Sequence, residues 1–175
     1  MYKKQISMAI ASVIMAGVSF NAAAGSKSAP LAITATVAAT CDISTTAVAF
    51  GNYDPTAVTA SNSNGTVTLT CVKGSLPVVS LDLGSNPAGA VRNMKGAGTD
   101  VLSYELYQPA NNTVGTSCVG TETVIWGDGI NGSQFNATAA TGTLGRSYNI
   151  CGRITAGQNV GADSYSDTVT AKVDF

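Results

Sequence analysis

Short segments in which apolar and small polar residues alternate are the feature that most constrains the fold of this chain. A period of two is typical of a β-strand, because successive side chains point to opposite faces. One such segment is residues 30–41 (PLAITATVAATC), which lies directly ahead of the folded body and ends at its first cysteine. Its odd positions carry Leu31, Ile33, Ala35, Val37 and Ala39. We predict a strand with one apolar face.

Similar alternation recurs through the rest of the chain, between turns rich in Gly, Asn and Ser. The predicted strands cover residues 65–72, 76–83, 101–107, 122–126, 144–154 and 164–175, with a further short strand within 86–99. Residues 65–72 and 76–83 are separated by three turn residues, which favours a hairpin. Beyond the first 25 residues no amphipathic helix of useful length is expected. The pattern predicts an all-β sandwich of roughly seven strands, immunoglobulin-like in outline.

The first 24 residues have the three parts of a signal peptide: Lys3 and Lys4, an uncharged run over residues 8–20, and small residues at 22–24. The uncharged run is shorter than the about 20 residues that a membrane-spanning helix needs. We therefore expect export and cleavage after residue 24, with cleavage after residue 23 as the alternative. The mature chain of about 150 residues is long enough for one domain with its own core.

Four cysteines follow the leader: Cys41, Cys71, Cys118 and Cys151. An even number in an exported chain indicates disulfide bonds rather than metal or redox chemistry. Four cysteines allow three pairings. We favour Cys41 with Cys71, which lie on consecutive predicted strands, and Cys118 with Cys151, which frame a later hairpin region.

The composition argues against several functional classes. Charged residues make up 11% of the chain and histidine is absent, so the usual histidine-dependent nucleophiles and the commonest zinc ligand are missing. The net charge of -1 gives no attraction for nucleic acid or an anionic membrane. We expect no cofactor, no metal ion, no nucleic-acid partner and no membrane insertion.

Three site hypotheses involve individual side chains. A catalytic carboxylate pair would have to come from Asp100, Glu105, Glu122 or Asp128, but acids on a β surface are usually solvated, so we do not expect an enzyme. Asp128 also begins a glycine-rich loop, which lacks the ligand spacing of a calcium loop and is expected to be a plain turn. Trp126 and the six tyrosines allow an alternative, a sugar- or surface-binding protein, although buried sandwich aromatics are the simpler interpretation.

The N-terminal strand leaves two interpretations open. It could complete its own sandwich, giving an ordinary closed domain, or it could project and fill a groove in another copy by strand addition. Burial of Leu31, Ile33 and Val37 would contribute about 1.5–3 kcal/mol each before entropic costs.

Several motifs in a fixed order resemble the spore coat protein U domain family, which is shared with the pilins of archaic chaperone-usher pili. The resemblance covers nearly all of the mature chain. In chain order the motifs are Phe50-Gly-Asn-Tyr-Asp-Pro55, Val67-Thr-Leu-Thr-Cys71, Arg92-Asn-Met94, Leu102-Ser-Tyr-Glu-Leu-Tyr107, Trp126-Gly-Asp-Gly129, Cys151-Gly-Arg-Ile154, Ala156-Gly-Gln158 and Tyr165-Ser-Asp-Thr-Val169.

The resemblance implies an incomplete immunoglobulin-like subunit of a surface fibre for adhesion and biofilm formation, with a secreted coat protein as an alternative assembly. A periplasmic chaperone would supply the missing strand until an outer-membrane usher exchanges it for the N-terminal strand of another subunit. Residues 25–40 would be the donor extension and residues 41–175 the pilin domain. The donor residues would be Leu31, Ile33, Ala35, Val37 and Ala39. The acceptor-groove edge, also recognised by the chaperone, would carry Val169, Ala171, Val173 and Phe175.

Overall fold

A computed structural model describes residues 24–175, so the predicted signal peptide lies outside the described residues except for its last position. The chain divides into two units, Met1–Thr36 and Val37–Phe175. Within the first unit, residues 24–36 form no regular secondary structure and are exposed to solvent. Residues 37–40 of the second unit are also exposed and belong to no strand, although the carbonyl of Thr40 accepts a hydrogen bond from the N–H of Val72 at 2.9 Å.

The second unit is built from eight β-strands, and the described part of the chain contains no helix. The strands are β1 (Cys41–Thr46), β2 (Ser61–Cys71), β3 (Val78–Leu81), β4 (Arg92–Lys95), β5 (Val101–Tyr107), β6 (Phe135–Asn136), β7 (Arg146–Ile154) and β8 (Ala171–Asp174). They form a five-stranded sheet in the order β1-β2-β7-β5-β4 and a three-stranded sheet in the order β6-β3-β8. All strand pairs are antiparallel. The predicted all-β, immunoglobulin-like fold is confirmed.

A hydrophobic core lies between the sheets because each strand turns alternate residues inward. Val67 and Leu69 of β2 are completely buried, as is Val79 of β3. Trp126 is buried with them, and its Nε1 donates a hydrogen bond to the carbonyl of Val79 at 2.9 Å. Its indole packs against Phe135, with ring centroids 4.7 Å apart.

Among residues 24–175 no helix is long and apolar enough to cross a membrane.

One arginine ties the two sheets together. Arg92 of β4 is fully buried and forms an ion pair with Glu105 of β5. Its remaining donors reach main-chain carbonyls at the end of β3 and beside it: Leu81 at 3.3 Å, Asp82 at 2.9 Å and Trp126 at 2.8 Å. The guanidinium therefore bonds three main-chain carbonyls, and its bonds to Leu81 and Trp126 are buried.

Two disulfide bonds are present, in the pairing favoured from the sequence. Cys41 and Cys71 face each other in the register of β1 and β2 and are bonded. Cys118, in the loop after β5, is bonded to Cys151 of β7. The bonds span 30 and 33 residues of sequence. On the chain-entropy model each closed loop contributes about 3–4 kcal/mol to stability.

The predicted hairpin of residues 65–72 and 76–83 is wrong. β2 pairs with β1 and β7, whereas β3 lies in the other sheet. Pro77, directly ahead of β3, lacks the N–H group that a ladder would need there, and the connection instead crosses between the layers. Both strands can then turn their apolar faces to one core.

Strand lengths also differ from the sequence prediction. β2 begins at Ser61 rather than at residue 65, because its polar first residues pair with β7. Residues 122–126 form only isolated bridges, such as Tyr107 with Ile125. β6 was not predicted, and β8 covers only the end of the segment 164–175. Polar segments pair here because a neighbouring edge is available, which alternation alone does not reveal.

Candidate functional site

An open apolar groove of about 960 Å³ runs along one side of the second unit. The first wall is residues 45–55, at the end of β1 and beyond it, and the second wall is residues 160–171, leading into β8. β1 and β8 are the outer strands of their respective sheets. The floor consists of inward-facing residues of both sheets: Leu81, Met94, Leu102, Tyr104, Leu106, Ile150 and Ile154. The groove therefore opens directly onto the hydrophobic core.

Two glycines in the five-stranded sheet allow the first wall to lie close. A Cβ atom at Gly152 would lie 2.5 Å from Val48 Cγ1 and 2.8 Å from Phe50 Cζ. A Cβ atom at Gly65 would lie 2.5 Å from the carbonyl oxygen of Thr46. All three distances are too short for real contacts, so these two strand positions require glycine. Val48 and Phe50 consequently reach the core although this stretch belongs to no strand.

The second wall is attached largely through side chains. Only two ladder-type hydrogen bonds, between Lys95 and Ser166, join it to β4. Asp163 accepts a hydrogen bond from the backbone N–H of Ala97 at 2.6 Å, and Asp167 accepts one from that of Ser85 at 2.8 Å. Carboxylates thus replace the regular ladder along much of this wall.

A tyrosine of the groove floor also holds the second wall. Tyr104 donates a hydrogen bond from its hydroxyl to Asp167 at 2.7 Å. Burial of the Tyr104 ring, together with this bond, raises the pKa of its phenol well above the ordinary range. The phenol is therefore protonated at neutral pH and acts as the donor in this bond.

Two carboxylates of this attachment titrate below the ordinary range. Hydrogen bonds from the backbone N–H groups of Ser164, Ala97 and Gly98 lower the pKa of Asp163. Burial opposes ionisation of Asp82, but N–H donors including that of Thr170 outweigh it and lower the pKa of Asp82 as well. A carboxyl whose pKa is lower in the folded state stabilises the fold above its unfolded pKa. That contribution is lost as the pH falls through the folded pKa.

We therefore expect the second wall to loosen in acid, below about pH 4. The urea midpoint of the wild type should fall between about pH 5 and about pH 2.5, and Asp163→Asn should make this fall smaller. Asp42→Asn is the control, because Asp42 is exposed and its carboxylate accepts no hydrogen bond within residues 24–175. Equal pH dependence in the wild type and Asp163→Asn would contradict the expectation.

At one end of the groove, Tyr53 of the first wall is bonded to the segment that leads into the second wall, and the two partners come from motifs far apart in sequence. Tyr53 donates a hydrogen bond from its hydroxyl to the carbonyl of Thr155 at 3.0 Å. The same hydroxyl accepts a bond from the backbone N–H of Gln158 at 2.9 Å. Sequence reasoning identified both motifs but not this contact, because nothing local connects residues that are so distant in the chain.

The predicted groove-edge residues lie in three different environments. Val169 and Ala171 line the groove. Val173 is half-buried in β8 and packs against the core, whereas Phe175 is 55% exposed at the last position. The second-wall aspartates were missed, since acids in a Ser- and Gly-rich stretch resemble ordinary turn residues.

The predicted donor residues are all exposed. The fraction of exposed side chain is 84% for Leu31, 87% for Ile33 and 79% for Val37, and Ala35 and Ala39 are exposed as well. The strand predicted over residues 30–41 forms only from Cys41 onward. A strand needs a partner edge for its N–H and C=O groups, so the pattern describes a conformation that these residues would adopt when paired.

The side chains considered for other chemistry have structural partners. Glu105 is paired with Arg92, and Glu122 lies 3.5 Å from Arg153. Asp128 accepts hydrogen bonds from the backbone N–H groups of Ile130 and Asn131, which makes it a turn residue. Trp126 is fully buried and offers no stacking surface for a sugar. Cys118 and Cys151 lie near Glu122, but their sulfurs are bonded to each other.

Fold and groove together define a class of protein: an immunoglobulin-like β-sandwich that is open along one side, where its core meets solvent between two edge strands. The chain belongs to the spore coat protein U domain family, whose model matches residues 27–172. This confirms the resemblance noted in the sequence.

Two known proteins illustrate the relationship. The chain is 30% identical over 195 aligned residues to Protein U of Myxococcus xanthus, covering 97% of this chain and 98% of that protein. It also resembles a chain in the crystal structure of the CsuC-CsuE chaperone-tip adhesion subunit pre-assembly complex, from the archaic chaperone-usher Csu pili of Acinetobacter baumannii. That match has a TM-score of 0.54 and 25% sequence identity. It covers 80% of this chain and 40% of the other, so this chain spans less than half of its length.

Proposed function

We propose that this protein is a structural subunit of a chaperone-usher pilus and polymerises by donor-strand exchange. The N-terminal segment, residues 25–40, of one subunit fills the groove of another. The observation that carries the proposal is an apolar groove of about 960 Å³ in a chain that also presents an exposed, alternating apolar segment. The role is structural rather than catalytic.

The N-terminal segment and the groove are matched in length. The donor positions from Leu31 to Ala39 span eight residue steps, or about 27 Å for a strand. The first wall, residues 45–55, spans at most about 33 Å when extended. The N-terminal segment can therefore lie along most of the groove as a single added strand.

The two surfaces are also matched in chemistry. Leu31, Ile33 and Val37 would face a floor of leucine, isoleucine, methionine and tyrosine side chains. Their burial would contribute about 1.5–3 kcal/mol each before entropic costs, and backbone hydrogen bonds to an edge would fix the direction of the strand. Such a joint is stable without a covalent bond.

An unfilled groove is also a hazard, which is the reason for the proposed partners. Exposed edges beside an apolar floor favour uncontrolled pairing between copies. A periplasmic chaperone would protect the groove by supplying a strand along the edge formed by Val169, Ala171, Val173 and Phe175. An outer-membrane usher would then exchange this strand for the N-terminal segment of another subunit, building a fibre on the cell surface that serves adhesion and biofilm formation.

Deletion of residues 26–40 from the mature chain is expected to abolish polymers while leaving chaperone binding intact, since the groove remains. The measurement is a detergent gel of unboiled surface material, on which the wild type should give a ladder of non-covalent multimers. Deletion of residues 26–29, which precede the alternating stretch, is the matched control and should keep the ladder. A ladder that persists without residues 26–40 would contradict the proposal.

A further inference from the structure

The groove has two unlike ends. At one end the hydroxyl of Tyr53, on the first wall, is bonded to Thr155 and Gln158, and the second wall begins two residues later at Val160. The two walls therefore meet there. At the other end Thr45 pairs only with β2 and Ala171 only with β3, and no ladder joins these two edges in residues 24–175. Hydrogen bonds therefore bridge the groove at the Tyr53 end, whereas at the β1–β8 end the two edge strands approach each other without pairing.

At the Tyr53 end of the groove, Gln158 is hydrogen-bonded to β5. The side-chain amide of Gln158 accepts a hydrogen bond from the N–H of Ser103 at 2.8 Å and donates one to its carbonyl at 2.7 Å. The Gln158 side chain thus bonds to both the N–H and the carbonyl of Ser103 in β5. If β7 continued beyond Ile154, its backbone would make the same two bonds. This bidentate contact fixes Gln158, and Gln158 in turn fixes the hydroxyl of Tyr53.

An alternating donor strand needs a structural feature that fixes its register. A slip of one residue would turn the apolar face outward, but a slip of two residues keeps the apolar face on the floor. Leu31, Ile33, Ala35, Val37 and Ala39 repeat every two residues, so alternation alone permits several registers.

We propose that Tyr53, held by Gln158, is a stop that sets the register of the incoming strand. The inference rests on the proposed donor-strand function and goes beyond it. A strand lying in the groove reaches the Tyr53 ring and its hydrogen-bonded partners and must leave the groove there. Tyr53 is a positioning residue in this scheme: it selects one register among those that the alternating pattern allows.

The test reads register directly in polymers of the full mature chain. A diazirine-bearing amino acid is introduced at Leu31, the polymers are irradiated, and the cross-linked residues of the neighbouring subunit are mapped by mass spectrometry. The wild type should give one cluster of sites. Tyr53→Ala should add a second cluster one strand repeat away, about 7 Å along the groove, and lower the ratio of main to shifted sites by about tenfold.

Tyr165→Ala is the matched control. Tyr165 also lines the groove and donates its hydroxyl, to the carbonyl of Gly161 at 2.9 Å, but it does not join the two walls. It should leave a single cluster. If Tyr53→Ala does not fold, Tyr53→Phe replaces it, since it keeps the ring and removes only the two hydrogen bonds. The same second cluster is expected from it.

The outcomes separate the two proposals. Wild-type chains that form no polymer would overturn the donor-strand function itself. Polymers with a single cluster in the wild type and in the Tyr53 variant would keep that function and overturn the stop. A second cluster that appears equally with Tyr165→Ala would also overturn it, because general loosening of the groove would then explain the slip.

Discussion

Replacing Ile33 with aspartate is expected to abolish the polymers, whereas the same replacement at Thr34 is expected to leave them. The two residues are neighbours, and both are exposed in the single chain, so neither change should disturb the fold of the subunit. In a paired strand they point to opposite faces. Only the Ile33→Asp variant would bury an unpaired carboxylate against the apolar groove floor, which costs far more than the apolar contact it replaces.

The measurement is again the ladder on an unboiled detergent gel, with electron microscopy of the surface material to count fibres. Loss of polymer in both variants would mean that charge anywhere in the N-terminal segment interferes, for example during export. Retention in both would mean that this segment is not what fills the groove. Comparing Ile33→Asp with Thr34→Asp therefore tests which face of the N-terminal strand enters the groove, and not only whether the strand is needed.

Arg92→Leu is expected to lower the free energy of unfolding by about 3–5 kcal/mol, because it leaves a partly buried carboxylate and buried carbonyls without their donor. This is a large fraction of the roughly 5–15 kcal/mol typical of a whole domain. The measurement is urea unfolding followed by tryptophan fluorescence, which reports on Trp126, one of the groups that Arg92 contacts.

Arg153→Leu is the control for the Arg92 prediction. Arg153 also pairs with a glutamate, the buried Glu122, but the two lie 3.5 Å apart, and the carboxylate of Glu122 also accepts a hydrogen bond from the N–H of Val119. We expect a smaller loss from it. Adding Glu105→Leu to Arg92→Leu should recover part of the stability, since the unpaired carboxylate is then removed. Equal losses from Arg92→Leu and Arg153→Leu would contradict a special role for the buried pair.

The sequence predicted well those parts of the fold that depend on local pattern. Residues 101–107 were predicted as a strand and form β5 with the same limits, and the inward positions of β2 follow directly from its alternation. Strand pairing was harder to predict. The hairpin of residues 65–72 and 76–83 looked favourable locally, but it fails because β2 pairs with β7, which lies far later in the chain.

The candidate site likewise has parts that local sequence pattern predicts and parts that it does not. The alternating N-terminal segment and the apolar residues of the last strand could be recognised from periodicity. The contacts that shape the groove could not, because each joins polar groups that are distant in sequence, such as Tyr104 with Asp167. Gly152 is a further example: its role depends on Val48 and Phe50, from a much earlier part of the chain, lying over it.

The Cys41–Cys71 bond has a mechanical consequence for a fibre built in the proposed way. Tension arriving through the N-terminal segment enters the sandwich at Cys41, the first residue of β1. β1 is an outer strand, and without a cross-link it could be peeled from β2 one hydrogen bond at a time. Because Cys71 lies opposite Cys41 in the register, the load passes through a covalent bond directly into β2. The weakest element of the fibre would then be the non-covalent joint in the groove and not the subunit itself.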